Sequence, residues 1–215
     1  MELIDFILHI DQYLEVFLQD YGVWVYAILF LIIFVETGVV VMPFLPGDSL
    51  LFATGMLAAQ FHESLNIWLV MILLFIAAVA GDSLNYSIGK QTGMRIVRFK
   101  IFNIQPVKIE HIDKTHQFYE KYGSKTIVIA RFVPIVRTLA PFVAGIGRMN
   151  YSTFLTYNFL GGFIWVFGIT ICGYFLGNIP IIKNNFSKVV LIIILLSVLP
   201  IVYSVVKEKM TKKAV

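Results

Sequence analysis

An apolar run from Thr126 to Gly147 contains two arginines, Arg131 and Arg137, and two prolines, Pro134 and Pro141. Arginine at the centre of a bilayer costs about 3 kcal/mol on insertion scales and more in simulations. Proline leaves a backbone carbonyl that lipid cannot satisfy. A plain lipid-facing helix therefore does not fit this stretch. Something polar must face it, and an anion is the natural partner for paired guanidiniums.

The rest of the chain sets the medium. Of 215 residues, 59% are hydrophobic and 14% charged, where a soluble domain is nearer a quarter charged. Mean hydropathy is +0.84. These values predict an all-α polytopic membrane protein, a single membrane domain over 1–215 with little outside it. The net charge of +4 is no nucleic-acid signal, because the basic residues cluster beside apolar segments, where topology and anionic headgroups explain them. The single cysteine, Cys172, excludes an internal disulfide and reads as a small core residue. Glu2 and Asp5 replace the basic start of a secretory leader, so no cleavable signal is expected.

Along the chain, residues 1–21 read as an amphipathic helix with an acidic polar face. An apolar run over 22–36 ends at Glu36. Residues 37–60 are apolar at both ends and broken by Pro43-Phe44-Leu45-Pro46-Gly47-Asp48-Ser49. Such turn chemistry inside an apolar stretch predicts a re-entrant hairpin with its tip near Pro46. Residues 66–89 form a span holding Gly81, Asp82 and Asn85. Residues 90–125 are polar and basic, with a surface helix over 108–122. Residues 126–147 form a second hairpin, 151–177 and 188–206 two more spans, and 207–215 a basic tail.

Loop charge sets the orientation. The basic tail places the C-terminus in the cytoplasm. Counting back, the basic 90–125 stretch is also cytoplasmic if 126–147 is re-entrant rather than spanning. The first hairpin then enters from the other face, and the N-terminus is cytoplasmic. The expected architecture is two oppositely oriented re-entrant hairpins, about four spans and interfacial helices, as in many secondary transporters. The hairpins share only a loose pattern, Pro43 leading to Ala53-Thr54-Gly55 and Pro134 to Val143-Ala144-Gly145.

Five ionisable residues lie in apolar context: Glu36, Asp48, Asp82, Arg131 and Arg137. Three acids and two bases cannot pair one to one, which favours function over structural ion pairing for the set. Guanidiniums suit phosphate because their forked donors engage two oxygens at once. Buried carboxylates such as Glu36 and Asp48 suit the exchange of a proton or a sodium ion. Asp82 lines the cavity or bonds between helices. Gly81, Gly89 and Gly93 suggest close helix packing, and Trp24, Trp165 and Tyr151 read as interfacial belt residues. His111 and His116 share a helix face poorly, so no metal site is expected, and no cofactor. A membrane phosphatase would need a histidine nucleophile or base in the cavity, and neither hairpin holds one; an enzyme is not expected.

Four segments carry a family resemblance: Phe-Val-Glu-Thr-Gly (34–38), Pro-Phe-Leu-Pro-Gly-Asp-Ser-Leu-Leu-Phe (43–52), Gly-Asp-Ser-Leu-Asn-Tyr-Ser-Ile-Gly-Lys (81–90) and the run from Ala130 to Gly145. With 113–121, they resemble the bacterial DedA proteins, related to the VTT-domain lipid scramblases. The resemblance implies a bacterial inner-membrane protein. It implies movement of undecaprenyl phosphate or a phospholipid between leaflets, driven by the proton motive force. The family's acidic pair falls on Glu36 and Asp48, and its arginine pair on Arg131 and Arg137. The expected site is a phosphate headgroup on Arg131 and Arg137, proton or ion coupling at Glu36 and Asp48, and cavity or packing roles for Asp82, Pro46, Gly47 and Pro134. The alternatives are a passive scramblase, a non-transporting assembly factor docked through 90–125, and a small-ion antiporter, which has no need of paired arginines. Lipid identity, direction and any homo-oligomer stay open.

Overall fold

The computed structural model describes residues 10–39, 47–93, 109–183, 185, 188, 189 and 192. It is helical, with no strand among the described residues. The elements are α1 (Ile10–Gly38), α2 (Gly47–Gln60), α3 (Ile67–Thr92), α4 (Ile109–Tyr122), a 3-10 turn (Gly123–Lys125), α5 (Thr126–Ala130), α6 (Pro134–Ile146), α7 (Tyr151–Gly177) and α8 (Pro180–Lys183). Among the described residues, three stretches are long and apolar enough to cross a membrane: Asp20–Gly38, Ile67–Thr92 and Tyr151–Gly177. The tip of the first expected hairpin, with Pro46, and nearly all of 188–206 lie outside the described residues.

Local sequence explains the helix ends. α1 leaves helical geometry at Tyr21 (φ −124°, ψ 21°), where the amphipathic segment gives way to an uninterrupted apolar run. Arg131, Phe132 and Val133 interrupt helical geometry between α5 and α6, and α6 starts with Pro134 in its first turn behind an extended Val133. Proline suits that position because its missing N–H has no helical partner there, and it holds the preceding residue extended. α3 ends at Gly93, whose φ of +54° terminates the helix. Gly93 has open space around it, so it is a helix stop and not the packing glycine that the sequence suggests.

The chain divides into two compact units. The first comprises 1–25, 46–68 and 169–215. In it α2 lies against the end of α7 so closely that a Cβ at Gly55 would overlap the carbonyl of Thr170, and one at Gly173 the carbonyl of Phe52. Gly177 sits against Met56 and Ala59 in the same way. Leu51, Met56 and Leu65 are fully buried. Cys172, one residue before Gly173, is exposed. The sequence reading of Cys172 as core is corrected: the glycines take the packing face of α7 and turn the cysteine away from it.

The second unit comprises 26–45 and 69–168. α1 crosses α3 at Gly38 and Gly81, where a Cβ on Gly81 would fall 2.8 Å from the Phe34 carbonyl oxygen. α6 lies against α3 at Gly145 and Gly89, which face the carbonyls of Tyr86 and Phe142. α4 covers α6 through Ile112, Leu139, Phe142 and Val143. The Tyr119 hydroxyl donates to the Ala140 carbonyl (2.9 Å) and the Thr126 hydroxyl to that of Phe118 (2.9 Å). Tyr86 stacks on Phe154 with centroids 4.5 Å apart.

Candidate functional site: paired buried charges at a helix break

The break at 131–133 positions the site. Arg131 ends α5 and Arg137 lies in the first turn of α6, and both guanidiniums reach one cavity. Arg131 donates to Asp82 of α3 through Nη2 at 2.5 Å. The same nitrogen donates to Asn158 Oδ1 of α7, also at 2.5 Å. Arg137 is ion-paired with Glu36 of α1. Glu36, Asp82 and Arg131 are buried and Arg137 is partly so: Glu36 is 2% exposed, the Arg131 and Arg137 side chains 6% and 13%.

These groups line one cavity with Thr37, Thr138 and Trp165. The cavity between them is small, with about 20 Å³ open to the centre of a water-sized sphere. Formal charge inside it is zero, two carboxylates against two guanidiniums. Burying four charges is tolerated only because each has a close partner of opposite sign.

Polar helix contacts hold the walls. The Asn85 amide donates to the Thr37 carbonyl at 3.1 Å and to the Thr138 carbonyl at 2.9 Å. One side chain of α3 thereby ties the end of α1 to the first turns of α6. The Asn158 amide donates to the Val79 carbonyl (3.1 Å), which fixes its oxygen toward Arg131.

The structure thus brings together Glu36, Asp82, Arg131 and Arg137. Four of the five charges singled out in the sequence pair two by two here, which the odd count of three acids and two bases conceals. Asp82 is a full member of the cavity. Asp48 lies in the other unit, exposed in the first turn of α2, with Gly47 buried beside it. Pro46 is outside the described residues, and Pro134 opens α6. Trp165 corrects the sequence reading outright: it is 2% exposed and faces the cavity, whereas Trp24 and Tyr151 are exposed as belt residues would be. Trp165, Asn158, Thr37 and Thr138 were missed by sequence reasoning. The available signal was the spacing of Asn158, Gly161, Gly162 and Trp165, which share one helical face. Among the described residues no group of His, Cys, Asp and Glu could hold a metal ion.

Fold and site together define a multi-helix membrane protein with a small, ion-paired polar cavity. The comparisons narrow that class. The VTT domain family matches residues 45–175. The chain is 52% identical to Protein DedA of Escherichia coli K12 over 207 residues, 96% of this chain and 94% of that one. It is 41% identical over 169 residues to the uncharacterized membrane protein ML0287 of Mycobacterium leprae, covering 79% and 74% of the two chains. It is 32% identical over 179 residues to the inner membrane protein YqjA of Escherichia coli K12, covering 83% and 79%. The chain belongs to the VTT-domain, or DedA, family of membrane proteins. No solved structure matches it.

Proposed function

We propose that the protein moves a phosphate-bearing lipid, undecaprenyl phosphate or a phospholipid, between leaflets of the bacterial inner membrane, driven by the proton motive force. The observation that carries this reading is the convergence of two guanidiniums, each held by a carboxylate, on one small cavity at a helix break. The tail of the lipid stays in hydrocarbon while the headgroup enters the cavity. α5 and α6 act as a re-entrant hairpin, with both chain termini cytoplasmic.

Cavity charge suggests the coupling. Both guanidiniums are engaged by carboxylates, so a phosphate enters by displacing a carboxylate from its arginine. A displaced carboxylate in a low-dielectric cavity is poorly solvated, and taking a proton removes the penalty. Anion entry and proton uptake are then one event. Glu36 and Asp82 do this inside the cavity, and Asp48 serves as an acid of the other unit. Moving one to two negative charges toward the negative side costs roughly 2–5 kcal/mol at about 100 mV, and co-entering protons cancel that cost.

The test uses the full chain in phosphatidylcholine vesicles with a tagged polyprenyl phosphate or a tagged phosphatidylethanolamine. The expected result is phosphate-lipid movement that an imposed pH gradient accelerates and that Arg131→Gln or Arg137→Gln reduces at least about tenfold, a loss of about 1.4 kcal/mol. Movement indifferent to both arginines, with folding intact, rejects the site. Movement that needs the arginines but ignores the gradient means passive scrambling.

A further inference from the structure

Trp165 stands between the two ion pairs. The Cζ atoms of Arg131 and Arg137 are each 5.6 Å from its ring centroid, one ring serving both guanidiniums. That is within the roughly 6 Å over which an aromatic quadrupole attracts a cation, and desolvation strengthens the attraction. The same face of α7 is shaped to Arg131. A Cβ at Gly161 would lie 3.1 Å from Arg131 Cδ and Nε, and one at Gly162 would lie 3.5 Å from Nη2. Asn158, one turn earlier, accepts from that nitrogen.

We infer that Trp165 is the positioning residue that keeps both guanidiniums in the cavity when a carboxylate lets go, with Gly161 and Gly162 making room for Arg131. This rests on the reading of Arg131 and Arg137 as anion-holding groups. Its chemistry is complementary to theirs. An arginine uses its in-plane N–H fork for carboxylate or phosphate and its face for an aromatic ring. A ring at the face therefore does not compete with the anion. It holds the cation during exchange, when the carboxylate has left and the phosphate has not yet arrived.

The experiment replaces Trp165 with mono-, di- and tri-fluorinated tryptophans in the full chain, which weakens the quadrupole with little change in shape. Two readouts are taken: movement of a tagged polyprenyl phosphate in phosphatidylcholine vesicles, and the thermal unfolding midpoint without lipid. The expected result is a rate that falls stepwise with fluorine count, by about 2- to 30-fold at full fluorination. Trp165→Phe should keep part of the rate and Trp165→Leu lose most of it. A rate indifferent to fluorine overturns the inference, even if Trp165→Leu is slow, because the ring is then only filler. If the unsubstituted chain moves no probe, the transport reading fails and the midpoint decides. A midpoint falling in step with fluorine then keeps the guanidinium–ring contact, and a flat series overturns it.

Discussion

Gly55 and Gly145 make the same joint in two different units. In the first, Gly55 faces the Thr170 carbonyl and Gly173 faces that of Phe52. In the second, Gly145 faces the Tyr86 carbonyl and Gly89 that of Phe142. Each carbonyl belongs to the residue three before the opposing glycine, so the two joints agree in register. The residues around them do not. Seven before Gly145 stands Thr138, which lines the cavity; seven before Gly55 stands Asp48. Seven before Gly89 stands Asp82, the partner of Arg131; seven before Gly173 stands Val166. Close backbone packing is thus repeated while the arginines are not: both stand in the second unit.

The largest effect should come from the arginines, which only the second unit carries. Arg131→Met leaves Asp82 buried without its cation and should cost about 3–5 kcal/mol in reversible unfolding in micelles. Adding Asp82→Leu should recover much of that loss. A single variant as stable as the native chain would show Asp82 to be solvated or neutral, and the contrast between the units would weaken.

The joints come next. Gly55→Ala and Gly145→Ala each force a methyl into a backbone carbonyl and should each cost about 1–3 kcal/mol. At an unconstrained helical site the same change gains about 1 kcal/mol. Similar losses sharpen the equivalence, and a gain at either glycine breaks it.

Tyr119→Phe tests the α4 cover of the second unit and should cost about 1 kcal/mol. Burial, with a smaller push from the Asp82 charge, raises the Tyr119 phenol above its ordinary value of 10.0. The unfolded chain then releases this proton first. The stability it contributes is complete below about pH 10 and is lost as pH rises further. Tyr119→Phe should flatten that alkaline slope in stability against pH.

Smaller still is Arg148, a non-glycine residue at φ 52° just after α6. Arg148→Gly removes a left-handed penalty of roughly 1–2 kcal/mol but loosens the unfolded chain, so a gain of under about 1 kcal/mol in the unfolding midpoint is expected.

Sequence reasoning reached the helices and stopped at the pairings. Long apolar runs placed α3 and α7, because such signals are local. Arg131 and Asp82 are 49 residues apart and Arg137 and Glu36 are 101 apart. Spacing along the chain carries no trace of such contacts. Trp165 was hidden for a different reason. α7 is apolar all round, so no polar face marked which side is buried, and a tryptophan in such a helix looks like a lipid-facing anchor. Its neighbours Gly161 and Gly162 held the information, since two adjacent glycines weaken a helix unless something large must pass.

The ion-paired cavity also has an electrical consequence. With two positive and two negative groups, the unloaded site presents no net charge to the field across the membrane. In the transport cycle proposed above, the empty return is then electrically silent, and any current would count only cargo and co-moving protons.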